Sequence, residues 1–488
     1  MILAWHAALP AAATVPDAFG VGARWSGAGA AGVAVVEDGA AAALNPAGLA
    51  RIRRPTAGIG FTLVDPTVRP IPPLWWDTNR DGLTDENDEP LNWDAGFDSV
   101  LGVQVQAARP LGGKFGLGFS AFVPGSTVIR FKTIEPELPN YVLWENRLQR
   151  FSAAAGIAGE VLPGVNLGIS ADLLARAKLS VALTADVSAS IEGTPSTAGE
   201  LVTGAVIDVH GIDLNVVPAV APVVGVALEP GKWIDALDGL VLAAAYHPAL
   251  GLPIDVDLDL QANVAASDLG TLDPIIGAVV ADAGLALFDH YVPRRVALGI
   301  AWRREDVFTI YAETRWTDWT GLQENVAELS RAEISAPLFD VPSESIRDDN
   351  TAAVEAAHFR SVWSVHLGSE LHLPEIPTTG KCRYFRPTAR GGFGYVPTAM
   401  VSQSTASAFL DTDRIYFTIG SGLEHWDPFA LVDGPVRYDI FFQWHSLAST
   451  TLLRSSETPT PGFPVDPKAG LPIGGNIVVL GGQWGFEY

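Results

Sequence analysis

From residue 56 onward, apolar residues recur at every second position. Ile59, Phe61 and Leu63 alternate with Gly58, Gly60 and Thr62. Val103, Val105 and Ala107 alternate with Gly102, Gln104 and Gln106, and Val307, Thr309, Tyr311 and Glu313 with Phe308, Ile310 and Ala312. A period of two predicts strands, because successive side chains of a strand point to opposite faces. Roughly fourteen such segments can be laid out, at 56–66, 97–109, 114–124, 147–161, 166–180, 214–228, 238–248, 291–303, 306–318, 358–373, 381–396, 412–425, 435–447 and 475–488. Their connections alternate in length. Leu111-Gly112-Gly113, Leu162 to Val165 and Arg304-Glu305 are tight, whereas 67–96, 125–146, 249–290, 319–357 and 448–474 are long. Short turns on one side and long loops on the other are the pattern of an outer-membrane barrel, and a soluble sandwich does not sort its loops this way.

Composition strengthens that reading. The chain is 48% hydrophobic with a mean hydropathy of +0.22. Yet its longest apolar candidate, Leu272 to Phe288, is interrupted by Asp273, Pro274 and Asp282, well short of the roughly 20 apolar residues a membrane helix needs. The expectation is therefore an all-β transmembrane antiparallel barrel in a Gram-negative outer membrane. Within the 249–290 connection, Leu269–Phe288 is an amphipathic helix candidate, either a capture lid or a packed loop.

The net charge of −24 excludes a nucleic-acid partner, since phosphates need Lys and Arg to neutralise them. Acidic clusters at 77–89 and 340–355 read as solvated loops. Cys382 is the only cysteine, so neither an intrachain disulfide nor a cysteine metal site can form.

Two segments differ from the strand text. Residues 1–13 are short, apolar and end in small residues, as in a signal peptide, although a basic start is lacking. Residues 14–55 are rich in Gly and Ala, and Pro46 should stop any short helix before it. They read as compact turns and short helices tucked against another surface.

Residues 77–88 match a calcium loop. Asp77, Asn79 and Asp81 supply oxygens at positions one, three and five, Gly82 allows the sharp turn, Leu83 offers its carbonyl, and Asp85 and Asp88 fill positions nine and twelve. Asp88 stands where a bidentate Glu is usual. No helices flank the loop, which suggests a structural Ca2+ staple in an outer loop.

At the other end of the chain, Trp484, Phe486 and Tyr488 share one strand face. Such a row suits the interface belt and resembles the C-terminal signal read by barrel-assembly machinery. Trp302, Trp316, Trp319, Trp363, Trp426 and Trp444 lie mostly near expected strand ends and suit aromatic girdles. No nucleophile elbow, phosphate loop or H-E-x-x-H motif occurs, so an enzyme is not expected. His366 and His372 share a strand face and read as lumen-facing polar residues.

The Gly-rich run Gly27 to Gly32, the acidic pair Glu37-Asp38 and the segment Asn45-Pro46-Ala47 resemble the N-terminal signature of the FadL family. Pro293 with Gly299 to Trp302, Trp316 to Trp319, Phe359 to Gly368, Arg390 to Phe393 and Asp413 to Gly420 resemble its later strands. The resemblance implies a fourteen-stranded barrel with residues 14–55 as a hatch in the lumen. It also implies transport of long-chain fatty acids or other hydrophobic molecules through an apolar pocket, with lateral release through a wall kink in the third strand. Asn45, Pro46 and Ala47 are then the candidate moving segment, and Pro124-Gly125 the candidate kink. Arg130 and Lys132 are possible carboxylate anchors. The implied partners are a hydrophobic small molecule and the surrounding outer-membrane lipid and lipopolysaccharide, with the protein a monomer. Two other readings stand beside this one, a lipid-modifying barrel enzyme and a general porin or structural barrel. A porin should carry no folded hatch.

Overall fold

The computed structural model describes residues 15–72, 74–76, 89–91, 99–125, 151–190, 204–249, 252–267, 276–290, 292–304, 307–321, 328–336, 341–345, 358–378, 382–402, 410–427, 429, 433–452, 464–465 and 470–488. The signal segment 1–13, the calcium-type residues Asp77, Asn79, Asp81, Leu83, Asp85 and Asp88, and the candidate anchors Arg130 and Lys132 lie outside these.

Fourteen antiparallel strands form the barrel. They are β1 Thr56–Val68, β2 Val100–Pro110, β3 Phe115–Pro124, β4 Ser152–Leu162, β5 Val165–Ser190, β6 Gly204–Leu228, β7 Leu240–His247, β8 Arg294–Arg304, β9 Phe308–Asp318, β10 Val362–His372, β11 Tyr384–Val396, β12 Arg414–Trp426, β13 Pro435–Leu452 and β14 Leu471–Glu487. Each pairs with its predecessor, and β14 returns to β1 from Thr56↔Glu487 to Val68↔Gly475. Closure leaves the spanning strands no free edge, which is what a backbone in hydrocarbon requires.

The alternation seen in the sequence becomes an inside-out distribution. Ile59, Phe61, Leu101, Ile169, Ile300, Ile310, Leu367, Ile419 and Ile440 point outward and are exposed. Their inward neighbours Thr62, Gln104, Ser170, Thr309, Glu313, His366, Glu370, Arg390 and Gln443 are buried. Exposing the apolar face is favourable only against lipid. Aromatic rings gather at both rims. Trp363 stands opposite Trp316 toward the long-loop side, and Trp484 packs on Phe486 at 4.6 Å and on Tyr438 at 6.1 Å toward the short-turn side. Trp319 departs from the girdle expectation, because it is buried among core side chains near the pore mouth.

The segment expected as an amphipathic helix, Leu269–Phe288, is corrected by the structure. Ile276–His290 is a strand, paired antiparallel with Leu252–Ser267, which in turn runs parallel to the outer part of β5. Glu328–Ala336 and Val341–Ser345 extend the same sheet. Leu252–Ser267 takes the outer edge of β5, and Ile276–His290 is held between that strand and Glu328–Ala336, where ladder pairing on both sides outweighs local helix propensity. Leu74–Trp76 pairs with Glu89–Leu91, so Trp76 and Glu89 close the two ends of the calcium-type segment.

Inside the barrel lie three short helices, α1 Val15–Phe19, α2 Gly22–Ser26 and α3 Ala41–Leu44, followed by a 3-10 turn at Pro46–Arg51. Trp25, Ala28, Val36, Ala41, Ala47 and Leu49 in this segment are fully buried. No helix among the described residues is long and apolar enough to cross a membrane.

Candidate functional site

The hatch is seated on wall glycines. Gly168 of β5 and Gly225 of β6 face each other across the strand pair. A Cβ on Gly168 would lie 2.3 Å from the Pro46 carbonyl carbon, and one on Gly225 would lie 1.9 Å from Asn45 Oδ1. Only glycine allows the backbone to approach so closely. Gly368 and Gly392 do the same for Ala28 and Gly29 on the opposite wall.

Asn45 is fully buried. Its Nδ2 donates to the carbonyls of Val33 at 2.8 Å and Val226 at 3.3 Å, and its Oδ1 accepts from Ala47 N at 3.1 Å, capping the 3-10 turn. Asn45 therefore ties two parts of the hatch to each other and to β6. Pro46 supplies the fixed φ of the first turn position, and Ala47 packs without exposure.

Wall side chains hold the remaining hatch backbone. Gln443 Nε2 donates to the carbonyls of Phe19 and Ser26, Gly22 N donates to Gln104 Oε1, and Gly29 N donates to Thr418 Oγ1. Val33 N donates to Glu313, and Arg315 joins Glu313 to the Ala30 carbonyl. Ion pairs pin the two ends. Arg24 makes a bidentate pair with Glu370 at 2.8 Å, and Arg390 closes on the same carboxylate at 2.6 Å. Glu37 meets Arg303 near one end of β8, and Asp17 meets Arg295 near the other. Burial works against the Glu37 charge, but Arg303, Arg24 and Arg51 together hold its carboxyl below the usual range. Burial pushes the Asp38 carboxyl up, against Arg24 and the donors of Ala40 and Trp25.

The hatch divides the lumen into two spaces. On the short-turn side, a charged vestibule of about 780 Å³ is lined by Arg51, Arg53, Arg54, Arg304, Arg386, Arg437 and several carboxylates. On the long-loop side, a smaller cavity of about 160 Å³ lies between α1, α3 and the outer ends of the strands. Its apolar lining includes Val21, Leu44, Phe122, Leu174, Val292, Trp319 and Val362. Its polar lining includes Asp17, Asp172, His247, Arg295, Arg315, Ser364, His366, Asp411 and Arg414. Ser364 Oγ lies 2.8 Å from His366 Nε2, and His366 Nδ1 bonds the Tyr416 hydroxyl, which donates to Gly29 O at 2.9 Å. His366 is thus a satisfied lumen residue holding the hatch, as its strand position implied. Asp411 accepts from Thr398 Oγ1 at 2.6 Å and Ala399 N at 3.0 Å, and burial lifts its carboxyl to about 6.

Three residues of outward register also border the cavity. Ala121, Ala153 and Leu173 form a cross-strand row over β3, β4 and β5. All three share the outward register of Phe119, Ile157 and Ile169, yet all three line the cavity. Pro124 ends β3 opposite Gly102, and Gly125 N donates to Leu101 O, so this pair sits at the outer rim. Pairing of β3 with β4 runs without a register shift from Phe115↔Gly159 to Phe122↔Ser152, and Val123 and Pro124 lie beyond it.

A family model described as "Outer membrane protein transport protein (OMPP1/FadL/TodX)" matches residues 3–451. The chain belongs to this FadL/TodX family. It is accordingly an outer-membrane channel for hydrophobic substrates and not an enzyme. Among solved structures, a Pseudomonas aeruginosa FadL homologue shares the fold with a TM-score of 0.50 and 14% identity, over 95% of this chain and 97% of that one. The Ralstonia pickettii toluene transporter TbuX (TM-score 0.42, 13% identity, 95% and 97% covered) and the P. putida toluene transporter TodX (0.47, 13%, 97% and 99%) are also similar. No curated protein matches the chain.

In this FadL/TodX barrel the sequence pointed to Asn45, Pro46 and Ala47 as a unit, and the structure brings them together on β5 and β6. It did not point to Asp17, His247, Arg295 or Arg414. For His247, Arg295 and Arg414 the available signal was a polar residue at the lumen-facing register of a strand, visible only once the face of each strand is known, whereas Asp17 lies on α1 and carried no such signal. Among the described residues, no group of three or more His, Cys, Asp or Glu side chains is placed to hold a metal.

Proposed function

We propose that this channel collects compact hydrophobic molecules in the outer cavity and releases them sideways into the membrane through the row Ala121, Ala153 and Leu173. The observation that carries the reading is that these outward-register residues line an inward cavity. Apolar cargo thus meets an apolar wall of Ala121, Ala153 and Leu173, while the way straight down is blocked by the hatch and a charged vestibule. The cavity size of about 160 Å³ favours a single ring or a similarly compact hydrocarbon, since cavities near 150 Å³ accept benzene. Hatch movement would begin at Asn45, where one side chain joins the hatch to β6. Binding needs little specific contact, because apolar burial contributes roughly 25 cal/mol per Å².

The same reading takes in a monomer surrounded by lipopolysaccharide, inserted by barrel-assembly machinery through Trp484, Phe486 and Tyr488, with Ca2+ held in loop 77–88. The closed ends of that loop at Trp76 and Glu89 support the last element.

The test is Ala153→Trp, with uptake of labelled toluene and leakage of a small sugar measured on the same cells. Toluene uptake should fall at least tenfold while sugar leakage stays at its low level. Unchanged toluene uptake excludes the lateral route.

A further inference from the structure

The three acids that line the outer cavity are not equivalent. Asp17 meets Arg295 at 2.9 Å, and Asp411 accepts from Thr398 and Ala399. Asp172, on the lumen-facing register of β5, borders the same cavity with 30% of its side chain exposed. Its neighbour is His247 on β7, whose Nδ1 lies 3.6 Å away, too far for a hydrogen bond.

His247 also has no hydrogen to give it. Its Nε2 lies 3.4 Å from the Leu44 carbonyl, which can only accept, so the proton of the neutral ring sits on Nε2. The bare Nδ1 then faces the Arg295 Nη2 donor at 3.5 Å. Asp172 therefore presents an accessible carboxylate that, among the described residues, receives no hydrogen bond.

Cargo that fills the cavity displaces the water on this carboxylate. A ring with only C–H bonds returns nothing, and an acceptor stripped of water without a new partner is costly. A ring carrying O–H or N–H restores the bond, and a site of this kind discriminates against analogues that lack the hydrogen. A cationic ammonium would meet the Arg295 guanidinium and would have to shed its own water on the way to lipid.

We propose that the cavity takes a compact, neutral ring bearing a hydrogen-bond donor, of the phenol or aniline class, and that Asp172 accepts that hydrogen. This rests on the compact-cargo reading above and narrows its substrate class.

The test uses the whole protein in lipid nanodiscs, with equilibrium dialysis against phenol, anisole, toluene and benzylammonium and empty nanodiscs as the blank. In the wild type, the ratio of protein-bound to blank-bound ligand should be highest for phenol. Anisole keeps the ring and the oxygen but has lost the hydrogen, and should rank with toluene. Asp172→Leu removes the acceptor, and heat-shifted gel mobility checks that the barrel is folded. It should weaken phenol roughly tenfold and leave toluene no weaker than about twofold below wild type. Equal ratios for phenol, anisole and toluene in the wild type, parallel losses for phenol and toluene in Asp172→Leu, or benzylammonium as the tightest ligand would each overturn the proposal. The wild-type ranking decides the matter even where the variant does not fold. If none of the three neutral rings exceeds the blank, the compact-cargo reading itself fails.

Discussion

At the scale of single residues, the hatch depends on contacts that tolerate no added volume. Gly225→Ala places a methyl group within 1.9 Å of Asn45 Oδ1. The Asn45 side chain must then give up its bond to the Val226 carbonyl. The expected result is a lower thermal midpoint and an increased leak of small polar solutes, read by liposome swelling. Asn45→Ala leaves the Val33 carbonyl and the Ala47 amide without their partner, a loss of about 1–3 kcal/mol for buried polar groups. Asp411 gives a pH effect of defined sign. Its carboxyl is raised to about 6 in the folded protein, against roughly 3.9 in an unfolded chain. Between those values the native state holds a proton that the unfolded state has released. This group's contribution is therefore complete at low pH and is lost as pH rises through 6. Thermal midpoints at pH 4.5 and 7.5 should show the wild type losing stability relative to Asp411→Asn over that interval. A constant difference between the two proteins rejects the assignment.

At the scale of elements, α2 is held to the wall by the Arg24–Glu370 pair, with Arg390 on the same carboxylate. Removing Arg24 takes away the bidentate half of this cluster and leaves Glu370 to Arg390, at a cost below the about 3–5 kcal/mol of a fully uncompensated buried charge. Arg24→Met should therefore expose residues 15–52 to protease added from the short-turn side while the barrel stays intact on a gel. Protection equal to wild type would show that the glycine seats alone hold the hatch. The hairpin formed by Leu74–Trp76 and Glu89–Leu91 carries the calcium prediction. Calorimetric titration of the whole protein should show uptake of one Ca2+, lost on Asp77→Ala with Asp81→Ala. No heat at millimolar calcium dismisses it. Strand positions were legible from alternation, because each barrel strand has one lipid face and one lumen face. Ile276–His290 was not, because its partners, Leu252–Ser267 and Glu328–Ala336, belong to a sheet built out from an edge of β5 that exists only once the barrel strands have paired.

At the scale of the whole molecule, apolar residues outside and polar residues inside reverse the arrangement of a soluble protein. Two different insides result, a small cavity facing the long loops and a charged vestibule facing the short turns, with the hatch between them. Deleting residues 15–52 should join the two and convert a closed channel into an ion-conducting pore, seen as a large step in planar-bilayer conductance. Wild-type conductance after deletion would mean that other segments block the lumen.

The sequence by itself determined the strand number, the lipid-facing register, the sidedness of the loops and the identity of the hatch. These follow from periodicity, from turn length and from a local motif. Tertiary structure alone decided which residues form the cavity. Asp17, His247, Arg295 and Arg414 are far apart in the chain and meet only because the barrel closes around the hatch. It also decided which wall residues border that cavity. Ala121, Ala153 and Leu173 carry no signal singly, and come together beside the cavity only because register sets them side by side on adjacent strands.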